Sequence, residues 1–229
     1  MRTLLRLWLL LLAFVPIAAQ AQVSNAGAAF DCDGKLYQTR QSTAGSAFTT
    51  LYQVNRSTTP YTTDRFRLTG QNNTATYGDL GVRLNALGYN QKDNFLYAVT
   101  YANGATSGAI NLYRVGKAGA QSLGRIYLDA LGTTPLPTDN YAGGSIDQNG
   151  IMYISTEDNS NTLYSIDLNS LVTSTRIVAR TISLGASYSF YDLAINPLTN
   201  DIYGSRNEGQ LYRIVPNALG TSATVANIS

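Results

Sequence analysis

The sequence contains no histidine and only one cysteine among its 229 residues. Without histidine, Ser-His-Asp triads, Cys-His dyads and histidine-ligated zinc or non-haem iron sites are excluded. Cys32 cannot form a disulfide within the chain, and a nucleophilic thiol would need a neighbouring base, which is usually histidine. An enzyme built on this chain would therefore depend on carboxylates, lysine, tyrosine or an oxygen-ligated metal.

Charged residues are also scarce, at 13% of the chain. The chain has 16 basic and 14 acidic residues, and two of the basic residues, Arg2 and Arg6, lie in a predicted leader. The remaining chain is then neutral and has no run of lysine or arginine. Phosphate neutralisation and docking on anionic lipid both need clustered positive charge. We therefore expect no nucleic-acid partner and no electrostatic docking to membranes.

The N-terminus has the features of a signal peptide. Arg2 and Arg6 precede an apolar run from Leu7 to Val15, and Ala19-Gln20-Ala21 offers small residues for cleavage before Gln22. A retained membrane anchor is the alternative, but the run is short for a bilayer and polar sequence follows at once. The sequence predicts a signal peptide at residues 1–21 and a mature chain without a membrane span, secreted or held at the cell surface.

The rest of the chain repeats itself with a period near fifty residues. A first element consists of a small or apolar stretch, a turn, and an apolar residue followed by tyrosine. Its copies end at Leu36-Tyr37, Leu96-Tyr97, Met152-Tyr153 and Ile202-Tyr203. A second element, Leu-Tyr-x-Val/Ile, follows each first element, at residues 51–54, 112–115, 163–166 and 211–214.

The residues of each repeat predict β-structure. Asn, Asp and Gly between apolar runs suit tight hairpin turns, and short runs rich in Tyr, Val, Ile and Thr suit half-buried strands. No segment after the leader has sustained helical periodicity. In the second repeat the predicted strands are residues 84–89, 95–100, 111–115 and 122–127.

This pattern predicts an all-β fold, a β-propeller-like array of four four-stranded blades within one domain, residues 22–229. The blades span about residues 26–70, 83–128, 140–185 and 190–229. Small residues in each first strand suit the crowded axis of a propeller. The array could be a four-blade ring or a piece of a longer propeller. No closing strand is evident at either end, which favours an incomplete, truncated propeller.

The eight tyrosines of the repeat elements could form a stripe that stacks on sugars, or they could pack between adjacent sheets. Each stands beside an apolar residue at the same place in every repeat. This regularity favours packing between sheets, with the hydroxyls bonded at an edge.

The repeat residues resemble a known type of domain. Residues 85–90, 95–99, 112–115, 192–197, 202–204 and 211–214 carry the resemblance. They resemble an uncharacterised propeller-like repeat domain of secreted bacterial surface proteins, often followed there by adhesion-type repeats or a sorting signal. The leader, ending in Ala-Gln-Ala-Gln, resembles those of Gram-negative bacteria. The resemblance implies a propeller-like fold and a surface location, and it implies no catalytic residues.

Two features of the sequence could bind metal ions. The acidic turns at residues 31–34, 93–94 and 147–150 lack the alternating oxygen ligands and the distal acid of a calcium loop, so turn chemistry explains them. The second feature is the axial mouth, where the first strands begin. There we predict a ligand-binding set formed by Asn85, Asn140, Tyr141, Tyr191 and Asp192.

At this mouth Asp192 and Asn85 could imitate the metal ligands of lactonase-like propeller hydrolases. The equivalent positions in the other repeats are Gly27, Ala86 and Gly143, which cannot ligate a metal. We therefore expect no catalytic residue, no bound metal and no cofactor.

The sequence thus favours an exported, non-catalytic repeat scaffold that mediates cell-surface interaction or adhesion, with a protein or a glycan as partner. Two long insertions, residues 101–108 and 130–140, are candidate contact loops. The alternatives are a metal-dependent hydrolase of the lactonase-like kind and a glycan-binding module.

Overall fold

The computed structural model describes residues 26–31, 34–41, 48–101, 108–172, 174 and 176–229. Within these residues the backbone forms β-strands and two short 3₁₀ turns, Thr74–Thr76 and Leu168–Val172. The prediction of an all-β chain is confirmed. The predicted signal peptide, Cys32 and most of the first long insertion lie outside the described residues.

Fifteen strands occur in the described part of the chain. Numbered in chain order from β1 to β15, they are Leu36–Gln41, Thr49–Asn55, Thr62–Arg65, Leu84–Asn90, Phe95–Thr100, Asn111–Gly116, Gly119–Tyr127, Tyr141–Ile146, Ile151–Thr156, Ser160–Asp167, Ile177–Tyr188, Asp192–Ile195, Ile202–Ser205, Leu211–Pro216 and Ala223–Asn227. The four strands predicted for the second repeat correspond to β4–β7, with bounds that differ by at most three residues.

The strands form three sheets. Strands β1–β3 form a three-stranded sheet, β4–β11 an eight-stranded sheet, and β12–β15 a four-stranded sheet. The eight-stranded sheet joins two antiparallel meanders, β4–β7 and β8–β11, through a short parallel pairing of β7 with β11 at Ile126 and Ile177. Its edge strands β4 and β8 lie against each other, so that this sheet is nearly closed on itself.

We call these groups unit 1 (β1–β3), unit 2 (β4–β7), unit 3 (β8–β11) and unit 4 (β12–β15). Unit 1 differs from the predicted pattern because residues 26–30 do not pair with β1. Their backbone groups bond to unit 2 instead: Lys117 N–H donates to Ala28 O, Ala118 N–H to Ala26 O, and Phe30 N–H to Asn94 O, each at 2.9 Å. Because these groups are already paired, unit 1 has three strands in one sheet.

Each boundary between successive units is filled by one apolar cluster. Leu51 of unit 1 shares a cluster with Leu96 of unit 2, and Leu112 of unit 2 shares one with Met152 of unit 3. Leu163 of unit 3 likewise shares a cluster with Ile202 of unit 4. In units 1, 2 and 3 the leucine of the second element thus packs toward the following unit, in the same cluster as the apolar residue of that unit's first element.

The tyrosines of the repeat elements point to the side of the strand opposite to that of the apolar residues next to them. Tyr164 and Tyr212, from second elements, pack toward the preceding unit, whereas Tyr97 packs toward the following one. Since side chains alternate across a strand, each Leu-Tyr pair serves two boundaries. None of the eight tyrosines is exposed, and the hydroxyl of Tyr97 donates to Asp93 at 2.6 Å. The prediction that these rings pack between sheets is confirmed for the six that belong to the boundary clusters, whereas Tyr52 and Tyr203 lie on the outer faces of units 1 and 4.

Strand β8 lies in close contact with both neighbouring first strands. A Cβ added at Gly144 would collide with the backbone of Ala86 in β4. A Cβ added at Gly143 would lie 2.9 Å from Leu193 Cγ and 3.3 Å from the carbonyl carbon of Asp192 in β12. The Gly143-Gly144 pair therefore allows three first strands to approach more closely than side chains would permit.

We predict that Gly144→Ala destabilises the fold by about 3 kcal/mol or more, because the new methyl group forces β4 and β8 apart. The measurement is urea-induced unfolding followed by circular dichroism. Gly209→Ala is the control: its site is open, although its φ is +76°, so only the backbone strain of about 1–2 kcal/mol is expected. Equal losses in the two variants would contradict the importance of this close approach.

Candidate functional site

The mouth is the edge at which the first strands β4, β8 and β12 begin and their partners β5, β9 and β13 end. Backbone pairing extends one residue beyond the strands here. Tyr101 N–H donates to Arg83 O at 3.0 Å, Glu157 N–H to Asn140 O at 2.9 Å, and Tyr191 N–H to Ser205 O at 3.0 Å. The residues that flank the strands are thereby held at this edge in three successive units.

A polar chain connects units 2 and 3 at the mouth. The guanidinium of Arg83 lies 5.1 Å from the centre of the Tyr101 ring. The Tyr101 hydroxyl donates to the carboxylate of Glu157, at 2.9 Å from Oε1 and 3.1 Å from Oε2. A cation over the ring and an anion at the hydroxyl hold Tyr101 from two sides, so this ring is fixed in position.

Three carboxyl groups cluster beside this chain: Asp139, Glu157 and Asp158. Burial raises the pKa of Asp139 above its usual value, and the negative charges of Asp158 and Glu157 raise it further. The N–H of Asn140, 2.7 Å from Asp139 Oδ1, lowers the pKa and partly offsets these effects. The mouth is consequently a place of negative potential at neutral pH.

The predicted ligand residues of units 2 and 3 differ in accessibility. Asn85 is half-buried and lines a cavity of about 400 Å³ together with Arg40, Thr49 and Tyr101. Asn140 is half-buried, and its backbone carbonyl accepts the hydrogen bond from Glu157 N–H that extends the strand pairing. Tyr141 is fully buried: its hydroxyl donates to Pro137 O at 3.0 Å, and burial raises its pKa. Of these three, Asn85 is the residue that lines the cavity of about 400 Å³.

The predicted residues of unit 4 are accessible. Tyr191 and Asp192 are both exposed at the start of β12. The Leu193 N–H donates to Asp192 Oδ1 at 2.9 Å, which lowers the pKa of this carboxyl, but burial of the group by its surroundings raises the pKa more. Tyr191 and Asp192 thus form an exposed aromatic and acidic pair.

Asn85 and Asp192 do not share one side of the mouth. Ala86, next to Asn85, faces Gly144, whereas Asp192 faces Gly143. Gly143 and Gly144 are adjacent in β8 and therefore point to opposite faces of this strand. Strand β8 consequently lies between Asn85 of β4 and Asp192 of β12. The structure therefore brings Asn85 toward Arg83 and Tyr101, and it keeps Asp192 with Tyr191.

The acidic turns use their carboxylates within the chain. Asp147 Oδ1 accepts from the N–H groups of Asn149 and Ile151 at 2.9 and 2.8 Å, and Asp93 accepts from Phe95 N–H and the Tyr97 hydroxyl. The interpretation of these two turns as hairpin chemistry is confirmed. In the part of the chain that the structure covers, no group of three or more acidic or cysteine side chains is placed to hold a metal ion.

The second long insertion, residues 130–140, is anchored to the body of the protein. Leu136 is buried, and its N–H donates to Ile126 O at 2.9 Å. Asp129 accepts from the N–H groups of Thr133 and Thr134, and these bonds hold the pKa of its carboxyl well below the usual range. This anchored segment forms part of the mouth, because it contains Asp139.

These features define an all-β repeat protein whose successive units pack face to face and present a polar edge. The chain belongs to a family described as a repeat of unknown function (DUF6923), which matches residues 37–229. No curated protein matches the chain. The predicted resemblance to an uncharacterised repeat domain is confirmed in this respect.

Among solved structures, a luciferin-regenerating enzyme is similar, with 12% sequence identity and a TM-score of 0.42. The similarity covers 81% of this chain and 52% of the enzyme's chain, so this chain spans about half the enzyme's length. Within the described residues, no helix is both long enough and apolar enough to cross a membrane.

Several residues of the mouth escaped the sequence-based prediction, namely Arg83, Asp139, Glu157 and Asp158. The prediction considered only the entries of the first strands. Glu157 and Tyr101 directly follow the second strands β9 and β5, which end at the same edge in an antiparallel hairpin. The sequence signal that could have identified these mouth residues is the presence of polar residues next to both the first and the second strand of a unit.

The acidic cluster predicts a pH-dependent stability. Because the folded state holds the Asp139 proton more tightly than the unfolded chain, the free energy of unfolding falls as the pH rises above about 3.9. Asp139→Asn should remove this penalty. We expect the variant to be more stable at pH 7 by less than about 1 kcal/mol, with the difference vanishing below about pH 3.

Asp129→Asn is the control of opposite sign. The pKa of Asp129 is lowered in the folded state, so its contribution is present at neutral pH and is lost as the pH falls. This variant should be less stable than the parent protein at pH 7, and the difference should begin to shrink as the pH falls below about 3.9. Thermal unfolding between pH 3 and pH 7 tests both substitutions. A destabilised Asp139→Asn variant at pH 7 would contradict the assigned direction.

Proposed function

We propose that the chain is an exported, non-catalytic repeat scaffold that binds a protein or a glycan at the cell surface through its mouth. Its four units are the blades of an incomplete propeller-like array, and the signal peptide at residues 1–21 directs export, from a Gram-negative bacterium as its leader suggests. The family supports the repeat character of the chain. Secretion and adhesion rest on the sequence features of the leader and on the resemblance described above.

The observation that carries the proposal is the distribution of polar residues at the mouth. Tyr101, Glu157 and Asp192 come from three different units, yet all three lie at one edge of the array. Rigid strands hold these residues, and the contacts of β8 with β4 and β12 fix the spacing of the units. A surface composed in this way suits recognition of an extended polar partner, because contacts can be distributed over several units.

A metal-dependent hydrolase is the main alternative, and it would need a different arrangement of residues at the mouth. It requires Asn85 and Asp192 to converge on one cation. Since β8 lies between these residues, a common cation would need a shift of the first strands. The geometry therefore favours binding over hydrolysis at this site.

Glycan binding is the form of recognition that the exposed Tyr191 supports. Its ring is 39% exposed, next to the Asp192 carboxylate. An accessible aromatic face beside an acidic acceptor is a suitable surface for a sugar ring, since the hydroxyl groups can donate to the carboxylate. Six of the eight repeat tyrosines cannot serve in this way, because they are packed between units.

We predict that the double substitution Tyr191→Ala and Asp192→Asn weakens binding of the purified protein to its glycan or cell-surface target at least tenfold. The measurement is a glycan array together with binding of labelled protein to intact cells. The control is Leu198→Ala, in the turn at the opposite end of unit 4, where the side chain is exposed. Unchanged binding by the double variant, or an equal loss in the control, would contradict a role of the mouth.

Metal analysis of the purified protein separates the scaffold from the hydrolase. We expect less than one tenth of an equivalent of any divalent ion after dialysis, and no change in melting temperature on addition of millimolar calcium or zinc, because the residues that the structure describes supply no converging set of three ligands. A stoichiometric ion that disappears in Asp192→Ala or Asn85→Ala would overturn the non-catalytic proposal.

A further inference from the structure

One position of the repeat differs between the last unit and the others. The leucine of the second element is fully buried in units 1, 2 and 3, as Leu51, Leu112 and Leu163. Its equivalent in unit 4, Leu211, is 39% exposed. The difference follows from the packing rule of the repeat, since this leucine points toward the following unit and unit 4 has none after it in the structure.

The mirror-image difference occurs at the other end. The apolar residue of the first element points toward the preceding unit, and it is buried as Leu96, Met152 and Ile202. In unit 1 the equivalent residue, Leu36, is 51% exposed. The two exposed leucines are therefore the two halves of a contact that is made three times within the chain.

Each half belongs to a larger face. The start face comprises Leu36, Gln38 and Arg40 of β1 with Tyr52 and Val54 of β2, since Leu36 is paired with Val54 and Gln38 with Tyr52. The guanidinium of Arg40 lies 5.2 Å from the centre of the Tyr52 ring and donates to Gln38 Oε1. The end face comprises Tyr203, Leu211, Val215 and Ile228, which share one side of β13 and β14 and the end of β15. Val215 and Ile228 are exposed, as Leu211 is.

The charged residue of the end face does not oppose such packing. Arg213 is held by Asp201, with 2.8 Å between Nη2 and Oδ2. The equivalent residue of unit 2, Arg114, lies at the interior boundary with unit 3, where its guanidinium is 4.7 Å from the centre of the Phe95 ring and donates to Gln121. An arginine at this position is thus compatible with a packed boundary.

We propose that the end face of one copy of this chain packs on the start face of a second copy, in a head-to-tail contact that repeats the interior boundaries. The occupant is indicated by the chain itself, since the same two repeat positions share a cluster at each interior boundary: Leu51 with Leu96, Leu112 with Met152, and Leu163 with Ile202. Such a contact uses two different faces, so it either closes into a ring of copies or continues as an open array.

The test uses two variants that each block one face. Leu211→Glu leaves the start face intact, and Leu36→Glu leaves the end face intact; both sites are exposed, so folding should be preserved. Sedimentation velocity over a hundredfold range of concentration measures the association of each. We expect the parent protein to associate and each variant alone to remain monomeric, with at least tenfold weaker association.

Mixing the two variants is the decisive step. Equal amounts of Leu211→Glu and Leu36→Glu should form a heterodimer that stops at two chains, because only one pair of intact faces is left. Leu198→Glu, which changes an exposed leucine outside both faces, is the control and should associate like the parent protein.

Three outcomes would overturn the proposal. The first is a parent protein that stays monomeric over the whole range. The second is a mixture that stays monomeric, since a symmetric or unspecific contact would not be restored by mixing. The third is an equal loss of association in Leu198→Glu. Circular dichroism of all variants verifies that the fold is retained, which separates a lost contact from a lost structure.

Discussion

The contact of β8 with β4 and β12 is the constraint on which the arrangement of the units depends. At Gly143 and Gly144 there is no side chain between the strands, and a methyl group at either position would collide with or crowd a neighbouring strand. Because the first strands are this close, the apolar boundaries farther out along each unit are brought together and can exclude water. The same approach places the residues at the entries of the first strands along one edge.

The Leu-Tyr pairs then determine how the units stack. Alternation along a strand sends the two residues of a pair to opposite faces, so each unit contributes one side chain to the boundary before it and one to the boundary after it. Nothing in this packing pattern limits the number of units. Its first and last units expose what interior units bury, and this explains why Leu36 and Leu211 are exposed.

The mouth has a different character because it lies where the strands end and the chain turns. Backbone pairing fixes the positions there, while the side chains are free of the packing demands of the boundaries. Arg83, Tyr101 and Glu157 form a polar contact between units 2 and 3 at this edge. The proposed binding at the mouth therefore depends on residues that the repeat pattern itself does not constrain, as is common for loops on rigid β-scaffolds.

The sequence by itself determined the all-β class, the positions of the repeat elements, the turns at Asp93 and Asp147 and the packing role of the tyrosines. These features are local, since turn residues and alternation act within a few positions. Only the tertiary structure decided how sheets are shared: residues 26–30 pair with unit 2, and β7 joins β11. It also decided that Tyr141 is buried and that β8 lies between Asn85 and Asp192. Those outcomes depend on contacts between residues far apart in the chain, and no local pattern specifies them.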